Sequence, residues 1–148
     1  MADTGTVAAQ KTRILGALLW LNAVTTLAAG LVLFVAPDLI AGTVGIHVGQ
    51  EAYLLYYLLG ASELGLSALC FLGLWLGDRS TLITVSLTLI VFHFASGVAG
   101  VYAFARGVDA AVLWNVAARV VIVALLGYHG VYKLTLSRMR ALANAHRT

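Results

Sequence analysis

Charge is what this sequence has least of. Of its 148 residues nine are Lys or Arg and six are Asp or Glu, 10% in all, against roughly 25% in an ordinary soluble domain. So few charges cannot coat a water-facing surface, which excludes a soluble globule. With 61% hydrophobic residues and a mean hydropathy of +0.97, a disordered chain is excluded as well. Cysteine is nearly missing too. Cys70 stands alone, so one chain holds no disulfide framework, no CxxC pair and no thiolate metal site. That removes a dithiol relay. No lysine falls inside an apolar run; Lys133 stands at the end of one, so a retinal Schiff base is disfavoured. The net charge of +3 comes from basic residues at the ends of apolar runs, not from a basic patch interleaved with aromatics, and nucleic acid is no partner. There is no internal repeat or low-complexity tract.

What is abundant is long apolar sequence. A helix crosses a hydrocarbon core of roughly 30 Å with about 20 apolar residues at about 1.5 Å each. Runs of that length occupy 14–36, 52–76, 82–105 and 110–132. The first is too long for a signal-peptide core and is read as a retained helix. The expectation is an all-α, polytopic membrane protein, a single domain over 1–148, with four transmembrane helices in an antiparallel bundle. Lys11, Arg13, Arg79, Lys133, Arg138, Arg140 and Arg147 fall on one side of such a layout and Arg106 on the other. Both termini are therefore expected on the cytoplasmic side. The outer segment 37–51 should lie along the interface, with Pro37 ending the first helix and Asp38 capping a short one behind it. The links 77–81 and 106–109 are tight, which predicts that the last three spans are successive neighbours. The basic tail 133–148 reads as a cytoplasmic extension on anionic lipid.

Each span carries strongly polar residues near its middle: Asn22 with Thr25 and Thr26, Glu63, His93, and Asn115 with Arg119. By helix rise Glu63, His93 and Arg119 fall within about 3 Å of the bilayer midplane, and Asn22 within about 4–5 Å. Tyr56, Gly60, Glu63, Ser67 and Cys70 share one face of the second span, and Ser86, His93, Ser96, Gly97 and Gly100 one face of the third. Small-xxx-small spacing at Ala61/Gly65, Gly73/Gly77 and Ser96/Gly100 lets helices approach closely. Charge at the bilayer centre is expensive and marks function by default. Glu63 and Arg119 are expected to neutralise one another, with His93, Asn22 and Asn115 filling further hydrogen bonds. A guanidinium has five donors and one carboxylate cannot satisfy it, so room remains for a ligand. The candidate site is Glu63, Arg119, His93, Asn22, Asn115, Tyr56, Ser67 and Ser96, approached past Tyr57, Tyr102 and Trp114 beneath the 37–51 segment. The opposing reading is a self-satisfied polar knot that sets helix register.

The run Gly60-Ala61-Ser62-Glu63-Leu64-Gly65-Leu66, behind a first helix closing at Ala36-Pro37-Asp38, resembles the DoxX-like group of small bacterial membrane proteins. The resemblance implies a compact four-helix bundle in a bacterial inner membrane, with Glu63 matching the family's helix-two acid and a link to quinone-connected redox complexes. Three functions follow in order. The first is a homo-oligomeric protein that binds or transports a small molecule or proton. The second is an accessory subunit of a membrane redox complex, for which quinone is the cofactor by analogy. The third is an intramembrane acid–base enzyme acting on an apolar substrate. Bis-histidine haem is disfavoured, because His93 and His129 differ in height by roughly 12 Å. No metal site is expected.

Overall fold

The computed structural model of the chain describes residues 4–47 and 49–145, and among these every regular element is helical. Helix α1 runs Thr4–Val35 and α2 Pro37–Gly42. A single 3₁₀ turn, Gln50–Ala52, leads into α3, Tyr53–Leu76, which is followed by α4, Arg79–Ala105. The last span begins as α5, Val112–Leu126, opens into a π-helical turn at Gly127–Tyr132, and continues as α6, Lys133–Ala145. Four stretches are long and apolar enough to cross a membrane: Arg13–Val35, Gln50–Leu76, Arg79–Ala105 and Val112–Ser137. They match the runs read from the sequence to within a few residues. Arg147 and the end of the basic tail lie outside the described residues.

The breaks follow from backbone chemistry. Proline cannot donate to the helix behind it but is preorganised to start a new one. Ala36 accordingly leaves helical geometry (φ −142°, ψ 69°) and Pro37 opens α2. Asp38 does not cap that helix. It lies in the first turn, and its Oδ2 accepts the Tyr53 hydroxyl proton at 3.0 Å, because the start of α3 sits close enough to offer a stronger donor. Gly77 ends α3 in a left-handed conformation (φ 64°) and Asp78 immediately caps α4. A two-residue reversal of this kind needs glycine at the first position.

Asp78 is the cap that can be titrated. Its Oδ1 accepts the Thr81 amide at 3.0 Å and Oδ2 accepts the Thr81 hydroxyl. The hydroxyl bond first, and then the amide bond, hold the carboxyl below its ordinary 3.8. A group depressed in the fold stabilises it above the unfolded pKa, and that contribution is lost as pH falls through the folded value. The amides opening α4 are therefore expected to lose protection, measured against their intrinsic exchange rates, as pH drops below 3.8. Asp78→Asn, which caps without titrating, should abolish that pH dependence in hydrogen exchange. An unchanged pH profile in Asp78→Asn would assign the effect elsewhere.

The spans associate as two pairs, α1 with α3 and α4 with α5, rather than as a chain of successive neighbours; α3 and α4 touch only sparsely. The reason lies in where the small residues fall. Gly30 and Gly60 bring α1 and α3 together so closely that a Cβ on Gly30 would stand 2.9 Å from the Gly60 carbonyl oxygen. Along this seam Asn22 meets Cys70, Ala23 meets Ser67 and Gly30 meets Gly60. Trp20 adds an edge contact to Phe71 at 5.3 Å. Gly100 lies directly against Val116 in the second pair. Of the expected small-residue pairs, Gly65 faces open space, while Gly73 and Gly100 pack on Val85 and Val116. An apolar core of Leu15, Leu19, Ala23, Cys70, Val85, Leu89 and Leu126 joins the pairs toward one end. There the π-helical turn lays Gly130 against Ser86, with no room for a Cβ between them. A π turn adds a residue to one turn and presents the glycine where a regular helix would present a side chain.

Candidate functional site

The two pairs are joined at mid-depth by a thread of polar side chains. Asn22 on α1 donates Nδ2–H to the Cys70 sulfur on α3 at 3.3 Å. Its Oδ1 lies 2.9 Å from Nε2 of His93 on α4. Nδ1 of the same ring lies 3.3 Å from Nη1 of Arg119 on α5, and Arg119 Nε donates to Asn115 Oδ1 at 2.7 Å. Chemistry fixes the histidine tautomer. Arginine can only donate and the asparagine oxygen can only accept, so Nε2 carries the proton and Nδ1 the lone pair. His93 is thus a neutral ring clamped between two helices from opposite pairs. The Arg119 guanidinium is further held with Cζ 5.7 Å from the centre of the Phe92 ring.

Asn22, Glu63, Ser67 and His93 are all buried, Arg119 is half-buried and Asn115 is exposed. The expected Glu63–Arg119 pairing is not made by direct contact. Arg119 bonds Asn115 and His93 instead, because Asn115 lies one turn before it on its own helix and His93 directly across the α4–α5 seam. Glu63 is 8% exposed, and no hydrogen bond reaches its carboxylate among the described residues. Ser67 spends its hydroxyl on the Ala23 carbonyl at 2.9 Å, which makes it a helix-packing residue. Thr26 likewise returns to the Asn22 carbonyl at 2.8 Å and Thr25 to that of Leu21 at 2.9 Å. Ser96 is half-buried and makes no side-chain hydrogen bond among the described residues. Cys70 is the member that the sequence reading left out of the site. Its only signal was its place on the polar face of α3.

Two cavities flank α5. An open groove of about 730 Å³ between α4 and α5 is almost wholly apolar, with buried His93, half-buried Arg119 and Tyr102 as the polar residues of its lining. A second space of about 690 Å³ lies beneath α2 and the loop after it, bordered by Tyr56, Trp114 and Asn115 as well as Ile40, Val44 and Ile46. Trp114 and Tyr56 therefore border this outer space. Tyr102 lines the groove instead, and Tyr57 stacks on Phe34 at 5.8 Å, which takes it out of the approach. Asn115 and Arg119, one turn apart, touch one cavity each.

The Tyr53–Asp38 hydrogen bond fastens the cover of the outer space. Tyr53→Phe is expected to speed amide exchange at Val44 and Ile46, whose N–H groups bond the Ala41 carbonyl, by roughly three- to tenfold. Exchange unaltered at those amides would show that α2 is held by its apolar contacts alone.

No group of three or more His, Cys, Asp or Glu suited to a metal ion is found among the described residues. The chain matches no family model, no curated protein and no solved structure. Its fold and site geometry are those of a protein all-helical among the described residues, with four helices long and apolar enough to span a membrane and a polar thread between two cavities.

Proposed function

We propose that this chain is a small-molecule binding or transport protein of a bacterial inner membrane. In this reading its four spans form an antiparallel bundle with both termini cytoplasmic. The orientation is supported by the bias of Lys and Arg toward one side, and the membrane by the DoxX-like run around Glu63. Assembly as a homo-oligomer would give a four-helix protomer the thickness that a carrier needs.

One observation carries the binding reading. Arg119 uses two of its five N–H donors on Asn115 and His93 and borders a groove whose lining is apolar apart from His93 and Tyr102. A self-satisfied structural knot would spend the other three internally as well. Pockets that bind small molecules typically combine an apolar lining with a few convergent polar groups in some 300–1,000 Å³, and the groove fits that description. Glu63, buried without a direct partner among the described residues, lines neither cavity, and a proton would balance its charge.

The test is native mass spectrometry of the mildly solubilised protein beside Glu63→Gln/Arg119→Met. A discrete bound mass, lost in an equally folded variant, is the expected outcome. An apo mass in both proteins, with equal melting behaviour, would overturn the reading and leave a polar knot.

A further inference from the structure

A second feature, separate from both cavities, lies at the end of the bundle opposite α2. We propose that Arg79 and Lys133 form a stoichiometric site for the phosphodiester of one anionic phospholipid whose headgroup carries no amine. The proposal rests on the chain's lying in a bilayer, and not on what either cavity binds.

Placement comes first. Arg79 opens α4, and Ser137 closes the apolar stretch of the last span, so both stand where hydrocarbon gives way to headgroups. Arg79 Nη2 donates to Ser137 Oγ, whose own hydrogen is spent on the Leu134 carbonyl at 2.8 Å. Lys133 lies one turn before Ser137 on the same face of α6. Its Nζ sits 4.4 Å from the centre of the Tyr128 ring, which stacks on Tyr132. Two cations thus flank one turn of helix. What precedes that turn sets its rotation. The π-helical turn at Gly127–Tyr132 adds one residue, about 100° about the axis, and Leu134 then packs against the apolar core.

Charge selects the occupant. Among the described residues Asp78 is the only carboxylate at this end, since Asp38, Glu51 and Asp109 lie at the other and Glu63 at mid-depth. Both Asp78 oxygens are turned to Thr81, and neither Arg79 nor Lys133 makes an ion pair among the described residues. Arg79 is exposed and Lys133 half-buried, so their remaining N–H donors reach the headgroup layer. A phosphodiester there carries one negative charge and can accept from both cations. A choline or ethanolamine headgroup sets its own cation against these two, whereas a glycerol headgroup does not. Inorganic phosphate has the same oxygens but no chain to hold it at this depth. Tyr128 and Tyr132, exposed beside the cations, offer that chain an apolar surface.

The experiment titrates the full chain, in a non-ionic detergent, with dioleoylphosphatidylglycerol or dioleoylphosphatidylcholine and reads adducts by native mass spectrometry. One phosphatidylglycerol per chain is expected, held about tenfold more tightly than phosphatidylcholine. Arg79→Gln and Lys133→Gln should each weaken it about fivefold, and the two together roughly thirtyfold. Arg13→Gln is the control. It removes a positive charge at the same end, where Leu15 borders Gly130, and should leave the affinity unchanged. An equal loss in Arg13→Gln would mean a diffuse basic surface and overturns the site. Equal affinity for phosphatidylcholine, or release of the lipid by excess inorganic phosphate, overturns it too. An adduct lost in Glu63→Gln/Arg119→Met but kept in Arg79→Gln/Lys133→Gln belongs to the mid-depth thread; it sinks this proposal and leaves the binding reading standing. A phosphatidylglycerol adduct that survives in Glu63→Gln/Arg119→Met, with no other bound mass in the wild-type protein, upholds the site and ends the binding reading.

Discussion

Gly30→Val is expected to lower the stability of the protein by roughly 2–3 kcal/mol, while Gly65→Ala leaves it unchanged or raises it slightly. The two glycines look alike in sequence, each inside an apolar helix. They differ in what faces them. A Cβ on Gly30 would lie 2.8 Å from Leu64 Cγ and 2.9 Å from the Gly60 carbonyl oxygen. The leucine can turn away, but a backbone oxygen moves only if α3 moves with it. Overpacking of that kind outweighs the helix propensity gained on losing a glycine, about 0.5–1 kcal/mol. At Gly65 nothing lies within 4 Å, so only the propensity term remains. Denaturation in mixed micelles, read by helical circular dichroism, compares the two directly. A Gly30→Val protein as stable as Gly65→Ala would mean that the close α1–α3 seam does not form.

Asn22→Leu is expected to have the largest effect of any polar substitution, about 2 kcal/mol. Interhelical hydrogen bonds within membranes are modest, averaging about 0.6 kcal/mol and reaching about 1.7. The loss here is larger because the substitution orphans another group. With the Asn22 oxygen gone, the Nε2–H of buried His93 has no acceptor, and an unsatisfied buried donor costs about 1–3 kcal/mol. Removing both partners is gentler than removing one. Asn22→Leu/His93→Phe should therefore recover part of the loss, the ring now facing Arg119 through its π surface. Thr25→Leu is the control, since Thr25 bonds only its own helix and should change stability by less than about 0.5 kcal/mol. The thread is refuted as a stabilising element if Asn22→Leu matches that control.

How far the sequence could be read depends on which coordinate is asked for. Span position and depth were legible because hydropathy and a rise of about 1.5 Å per residue determine them within each helix. The convergence of Asn22, His93 and Arg119 at one depth followed. Facing direction was partly legible too: the stripe through Gly60, Glu63, Ser67 and Cys70 is the buried face of α3. Partner choice was not legible. Periodicity gives an angle about one helix axis and says nothing about the neighbour at that angle. Glu63 and Arg119 were matched by charge, whereas the contact is set by the α4–α5 seam, where His93 comes first. The tight link 77–81 suggested that α3 and α4 pack together, yet a short connection fixes only the ends of two helices. The small residues at Gly30 and Gly100 decided which faces close. The π-helical turn left only a faint signal, the glycines at 127 and 130, and it shifts the phase of everything after it.

Asn22 occupies an unusual place in the order of events that builds this protein. Its N–H serves Cys70 within the first helix pair, while its oxygen serves His93 in the second. Taken alone, the first pair leaves both that oxygen and the Glu63 carboxylate without a donor, and of the two only the oxygen meets a direct partner in the second pair. The second pair carries the ring N–H that meets it, that of His93. An unmet valence in the early half thus becomes the address that the later half reads, and the two halves dock in one register because any slip would strand it again.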